Sequence, residues 1–156
     1  MAAFTIRPAM PADAEALCAL HKASVRALCV GAYTTGEIEA WLREREPQGF
    51  RHAMTDGSET MLVAECDGAI VGFASIKDTT LFGLYVDPTR GRGVGRLLLR
   101  SAEDLVRRSG AAVLSLQATL NAVPFYRKHG FMRQERSVVR RGGRDLAVLD
   151  MTKALS

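Results

Sequence analysis

The sequence predicts an α/β or α+β sandwich, one mixed sheet with helices on its faces. Three observations predict it. Apolar stretches of strand length alternate with amphipathic stretches of helix length, in the order β-α-α-β-β-β-α-β-α-β-β. Asp67-Gly68 and Gly142-Gly143 stand between strand candidates, where tight hairpin turns belong. The 156 residues, 47% hydrophobic and 24% charged, suit a single domain over 1–156 with one full core, and they exclude global disorder.

Each element has its own signal. Phe4-Thr5-Ile6 is a short strand. Pro11 and Asp13 open a helix that carries Ala14, Leu17, Leu20, Ser24 and Leu28 on one face. Thr34 and Glu37 form a capping box for a second helix whose apolar face is Ile38, Trp41 and Leu42. Residues 47–57 read as irregular. Met61–Ala64 and Ala69–Ala74 are the arms of the first hairpin, and Leu81–Val86 is a further strand ending at Asp87-Pro88. A helix then begins near Gly93 with Val94, Leu97, Leu98, Ala102 and Leu105 on one side, and Gly110 stops it. Arg100–Asp104 and Glu103–Arg107 are its i,i+4 pairs. Ala112–Leu116 is a buried strand. Asn121 caps a short helix through Tyr126 to His129, and Phe131–Arg140 and Asp145–Met151 form the last hairpin.

Three cysteines at wide, irregular gaps (Cys18, Cys29 and Cys66) fit neither a disulfide framework nor a zinc site. They read as buried free thiols in a reducing cytosol. Residues 1–7 lack the basic-then-apolar order of a secretory leader, and the longest uncharged stretch, Ser109–Tyr126, is too polar to cross a membrane. A cytoplasmic protein with no membrane partner and no metal is expected. Charge is distributed unevenly. Residues 1–89 carry 7 basic and 12 acidic side chains, net −5, whereas residues 90–144 carry 13 basic and 3 acidic, net +10. An anionic ligand is expected on the C-terminal half, either nucleic acid or a phosphorylated cofactor.

The segment Tyr85-Val86-Asp87-Pro88-Thr89-Arg90-Gly91-Arg92-Gly93-Val94-Gly95-Arg96 runs from a strand through a glycine-rich turn into a helix. Unpaired N–H groups and the helix dipole make such a start an anion site, and Arg90, Arg92 and Arg96 add charge. A P-loop needs Lys-Ser/Thr where Arg96-Leu97 stands. The dinucleotide fingerprint needs a glycine at position 96. A plain structural turn is the remaining alternative.

Arg90, Gly93 and Gly95 form an Arg-x-x-Gly-x-Gly pattern directly after an apolar strand. At the right distance follows Asn121-Ala122-Val123-Pro124-Phe125-Tyr126-Arg127-Lys128-His129-Gly130-Phe131. Together they resemble the acetyl-CoA motif and the later Asn, Phe-Tyr, Gly-Phe segment of the GNAT superfamily of acyltransferases, and the element order matches from Phe4 to Met151. The resemblance implies a central sheet of six or seven strands, splayed between two parallel ones, here Leu81–Val86 and Val113–Leu116. It implies acetyl-CoA as cosubstrate: Leu84, Tyr85 and Val86 offer backbone groups to the pantetheine arm, and the turn of Arg90, Gly91, Arg92, Gly93, Val94, Gly95 and Arg96 holds the pyrophosphate. Asn121 bonds the same arm, in addition to its capping role.

The implied reaction is attack of a primary amine on the thioester through a tetrahedral intermediate. A backbone N–H near Leu84 or Tyr85 faces the oxyanion, and Tyr126 returns a proton to the thiolate. The plain alternative for Tyr126 is a packed aromatic beside Phe125. Thr80 stands where some members carry an acidic base, and Asp78, Glu65, His21 and His52 are candidates from elsewhere, so the base is open. The N-terminal region supplies the acceptor pocket, with Tyr33 as its candidate residue and Trp41 as core. The acceptor is a small-molecule or peptide amine, and the protein a monomer or homodimer. The alternative functions are a non-catalytic acyl-CoA-binding regulatory module and a nucleic-acid binder. An aromatic content of 6% gives the binder few stacking platforms.

Overall fold

The computed structural model describes residues 3–155, so Met1 and Ala2, where the leader comparison starts, lie outside the described residues. Seven strands form one sheet: β1 (Thr5–Pro8), β2 (Thr60–Cys66), β3 (Ala69–Lys77), β4 (Thr80–Val86), β5 (Val113–Thr119), β6 (Met132–Arg141) and β7 (Arg144–Ala154). Five helices cover it: α1 (Ala14–Leu28), α2 (Thr35–Arg43), α3 (Pro47–Thr55), α4 (Val94–Arg108) and α5 (Val123–Lys128). The strand order is β1-β2-β3-β4-β5-β7-β6, antiparallel throughout except for the parallel pair β4–β5.

The two faces of the sheet sort the core. Leu62, Ala64, Ala74 and Ile76 point to one face and pack with Val94, Leu98 and Ala102 of α4, and with Leu114, Leu116 and Met151 from beyond the parallel pair. Val63 and Phe73 point to the other face and meet Leu17 and Leu20 of α1 and Phe50 of α3. Period-two alternation on β2 and β3 therefore feeds both cores. One residue of β4 breaks the alternation. Ser75 pairs with Gly83 but Ile76 pairs with Leu81, so Phe82 is a bulge.

The capping box at Thr34 forms as expected, with Thr34 N–H to Glu37 Oε1 at 2.9 Å and Glu37 N–H to Thr34 Oγ1 at 3.1 Å. Asp67 and Gly68 both take positive φ (52° and 78°), as a two-residue hairpin turn requires. Four expectations need correction. Residues 47–55 are helical rather than irregular. Pro47 sits at N1, where its missing N–H costs nothing, and burial of Phe50 and Ala53 against α1 supplies the stability that local pattern lacks. The buried face of α4 includes Leu99 and Val106, while Leu97 is exposed, because the helix lies over β2, β3 and β4 at a rotated angle. Glu103 accordingly turns inward to Lys153 of β7 (3.0 and 3.1 Å), and Arg107 pairs with Asp104 (2.7 Å) instead. Asn121 does not cap α5. It lies inside a 3₁₀ turn, Leu120–Ala122, and Ala122 occupies the cap position.

The β6–β7 turn is seated on α2. A Cβ at Gly142 (φ 57°) would fall 1.8 Å from the Ala40 carbonyl oxygen, whereas one at Gly143 (φ 80°) would meet nothing within 4 Å. Gly142→Ala is expected to cost about 3 kcal/mol in chemical denaturation, and Gly143→Ala only the left-handed backbone penalty of about 1 kcal/mol. Equal losses for the two variants would show that the turn is not held against α2.

Candidate active site

Strands β4 and β5 are joined by only two register pairs, Thr80↔Ser115 and Leu81↔Leu116. Thr80 Oγ1 and Ser115 Oγ reinforce the join at 3.1 Å. Beyond Leu81, β4 continues to pair with β3 as far as Val86, and β5 pairs only with β7. The side of Phe82–Val86 that faces β5 has no strand partner. A gap lined with free backbone N–H and C=O groups thus opens in the middle of the sheet, an edge of the kind an extended chain can occupy.

At the C-terminal end of β4 the chain turns tightly. Asp87 Oδ1 accepts from Thr89 N–H, Thr89 Oγ1 and Arg90 N–H, each at 2.9 Å, and these bonds hold its carboxyl below the usual range. Gly91 N–H donates to the Asp87 carbonyl at 2.8 Å. A Cβ at Gly91 would lie 2.6 Å from that same oxygen, so the turn admits only glycine. Gly93, at φ 83°, caps α4 in the left-handed region with open space around its Cα. Among the described residues, the N–H groups of Arg92, Gly93, Gly95 and Arg96 have no protein acceptor. Gly95 lets α4 close on Phe125 of α5, since a Cβ there would be 3.3 Å from the Phe125 ring.

The arginines of the turn divide. Arg92 and Arg96 are exposed and form no ion pair among the described residues. The Arg90 guanidinium instead leans on the Cys66 carbonyl at 3.4 Å. Open glycines, free N–H groups and two unpaired guanidiniums fit a diphosphate, and the neighbouring gap fits an extended arm attached to it. Asp87, which organises the turn, escaped sequence reasoning. Its signal is Asp-Pro-Thr, whose side chain bonds the backbone two and three residues on.

Tyr126 is 6% exposed and packs edge-on against Phe125 and Phe131. Burial pushes its phenol well above the ordinary value, with Tyr85 adding to the shift. Asn121 is exposed on its turn, near Cys29, whose thiol burial pushes up to about 11.

On the opposite face of the sheet from α4 lies a cavity of about 260 Å³. Its walls include Trp41, Phe50, Phe73, Tyr85 and His21, with Thr80, Gly83 and Gln117 at the end nearest the gap. Tyr33 also lines it, but its hydroxyl is engaged elsewhere: it donates to the Ala147 carbonyl at 2.6 Å and accepts from Leu120 N–H at 3.1 Å. The hydroxyl therefore ties the start of α2 to β7, and only the ring faces the cavity. Tyr85 contributes more than backbone. Its ring stands edge-on to His21 at 4.2 Å, and burial pushes its phenol up to about 12.

Of the four suggested bases, Glu65 is paired with Arg7 at 2.6 Å on β1, and Asp78 and His52 are exposed away from the cavity lining. His21 does line it, yet burial, then the nearby cations Arg45, Arg141 and Lys22, lower its pKa to about 3. A neutral imidazole that resists protonation so strongly is a poor base. Sequence reasoning missed Glu59, which lines the cavity and accepts a hydrogen bond from the buried hydroxyl of Ser75, the β3 partner of Gly83. Glu59 precedes a strand and belongs to no motif, so nothing local marks it. No group of three or more His, Cys, Asp or Glu could hold a metal among the described residues, and no helix there is long and apolar enough to cross a membrane.

Residues 29–155 match the family model described as an acetyltransferase (GNAT) domain. The chain is 30% identical over 154 residues to streptothricin acetyltransferase of Streptomyces lavendulae, covering 82% of this chain and 81% of that one. Among solved structures, a GCN5-related N-acetyltransferase from Rhodopseudomonas palustris superposes with a TM-score of 0.90 at 35% identity, over 97% of this chain and 95% of its own. The Salmonella typhimurium protein yncA, solved with its cofactor acetyl-CoA, superposes with a TM-score of 0.71 at 25% identity, over 99% and 95%.

The His21 environment has a pH consequence. A histidine whose folded pKa is depressed to about 3 favours the folded state above its ordinary value of 6.5, and that contribution is lost as pH falls towards 3. Between pH 7.5 and 5 the wild type is expected to lose about 2 kcal/mol more unfolding free energy than His21→Leu, measured by urea titration at both pH values. Identical losses would mean that the imidazole is not held neutral.

Proposed function

The chain belongs to the GNAT acetyltransferase family, and from that membership we propose that it moves an acetyl group from acetyl-CoA to a primary amine by direct attack. The observation that carries this reading is the gap between β4 and β5, which joins the phosphate-sized turn on one face of the sheet to the aromatic cavity on the other. Bound there, acetyl-CoA supplies a thioester whose carbonyl an amine can attack. The remaining work falls to this chain's own groups.

The N–H groups at the start of α4, with Arg92 and Arg96, bind the diphosphate, and the backbone groups of Leu84 and Val86, which face the gap while those of Tyr85 pair with Phe73 of β3, align the arm as an added strand. The Leu84 N–H donates to the developing oxyanion, since that of Tyr85 is engaged with Phe73 of β3. Tyr126 is protonated at neutral pH and delivers that proton to the leaving sulfur, and the burial that disfavours its phenolate then drives its reprotonation from solvent. Asn121 lies beside the same arm.

The acceptor must arrive as a free amine. A lysine-like amine is neutral in about one molecule in two thousand at pH 7, a cost of about 4–5 kcal/mol that a nearby carboxylate offsets. Glu59, fixed by Ser75 beside Gly83 of β4, takes that proton. The presence of such a carboxylate favours catalysis over a binding module that only senses acyl-CoA.

Saturation with coenzyme A at 100 times its dissociation constant should raise unfolding free energy by about 2.7 kcal/mol, and thiol release from acetyl-CoA over an amine panel tests turnover. Tyr126→Phe should lower kcat by about 100-fold or more with coenzyme A affinity nearly unchanged. Wild-type kcat in that variant would remove Tyr126 from proton transfer. Glu59→Gln should lower kcat/KM at pH 7, with the deficit narrowing as pH approaches the amine's own pKa. A deficit constant with pH would assign Glu59 a role other than base.

A further inference from the structure

We propose that the acceptor carries a carboxylate, or an oxyanion of like shape, as well as its amine, and that Arg45 and Arg141 grip that group. The inference rests on the acetyl-transfer function proposed above and names its substrate class: small amines of the amino-acid type.

Arg45 follows the end of α2 and Arg141 is the last residue of β6. Both line the aromatic cavity, and both are half-buried. Arg141 owes its position to the turn locked onto the Ala40 carbonyl through Gly142. Neither guanidinium has an ion-pair partner among the described residues, and the one hydrogen bond either makes is from Arg141 Nη1 to the neighbouring Arg140 carbonyl at 2.8 Å.

The acidic neighbours do not neutralise them. Glu44 and Glu46 line the rim but are exposed and unpaired, and Glu59 is held by Ser75. Two cations without a counter-ion among the described residues therefore line one partly apolar pocket. Burial first, and then the charge of Arg45, depress the Arg141 pKa. Like charges held together without a counter-ion destabilise the free protein, and a bound carboxylate relieves both at once. The guanidinium fork matches a carboxylate in two parallel bonds.

Size and polarity agree. The cavity of about 260 Å³ takes a small molecule. Its half-buried carboxylate, Glu59, is held by Ser75 of β3, whose neighbour across the ladder is Gly83 of β4. Its positive pair lies on the α2 and β6 wall. A zwitterion satisfies both ends in a single orientation. A lysine side chain within a protein carries no carboxylate to match the arginines.

The test compares free L-amino acids with their C-terminal amides, which keep amine and side chain but lose the negative charge. Two readouts are used: Tm of the coenzyme A-saturated protein, and thiol release from acetyl-CoA. The acids should raise Tm where the amides do not, and KM for an acid should be at least about tenfold below that of its amide, the range of a charge-assisted bond. The lower amine pKa of the amides works against this preference, which makes the comparison stringent. In Arg45→Gln and Arg141→Gln the ratio of the two KM values should collapse, and Arg141→Lys should restore part of it. Amides that bind or react as well as acids in the wild type overturn the inference while leaving acetyl transfer intact. Acids that fail to shift Tm overturn it even without turnover. Failure of coenzyme A itself to bind overturns the function on which it rests.

Discussion

A sheet left open in its middle is the constraint on which the rest of this protein depends. Two register pairs and one hydroxyl contact, Thr80 with Ser115, are all that β4 and β5 share. Their separation removes several ladder hydrogen bonds, so the two halves of the sheet have to be held together by something else. On one face α4 does this. Its apolar side spans Leu62 and Ala74 in one half and Leu114 and Met151 in the other, and Glu103 reaches Lys153 on β7. On the other face the Tyr33 hydroxyl links the start of α2 to β7 and to the turn after β5. The opening is thus braced by clamps on both faces, and the glycine-rich turn and the cavity wall are mounted on the clamps. Gly93 and Gly95 begin α4, and Trp41 and Arg45 accompany α2.

Electrostatics follow the same division. The net +10 segment begins at the phosphate-sized turn and runs on through α4, α5 and β6. Not all of its cations serve that turn: Arg90 bends to the Cys66 carbonyl, and Arg141 lies across the sheet in the cavity. Inside the cavity, burial keeps His21 uncharged and Tyr85 protonated, and in the core on the α4 face it keeps Tyr126 protonated as well. The site therefore has few groups that change charge near neutrality, and Glu59 is the carboxylate on its wall closest in register to β4.

Much of this was legible before any coordinates. Strands announced themselves through short apolar runs, turns through Asp67-Gly68 and Gly142-Gly143, and the turn before α4 through its glycines, of which Gly91 has no room for a side chain. What stayed hidden depends on contacts remote in sequence. Helix α3 has a weak pattern and exists because Phe50 finds α1. Glu103 looks like a surface partner of Arg107 until Lys153, 50 residues on, arrives beside it. Glu59 and Arg141 carry no motif, and their chemistry comes from where β2 begins and β6 ends. The capping role of Asn121 failed for a local reason: the 3₁₀ turn moved the helix start one residue on.

The extra residue at Phe82 gives the molecule its handedness of use. Before it, odd-numbered Leu81 points towards α4; after it, odd-numbered Gly83 and Tyr85 point the opposite way, and even-numbered Leu84 and Val86 take over the α4 side. A strand of the same composition but one residue shorter would exchange those two sets. Tyr85 would then be driven under α4, and leucine would fill the aromatic cavity. The two faces of the ribbon keep their separate linings by a count of one.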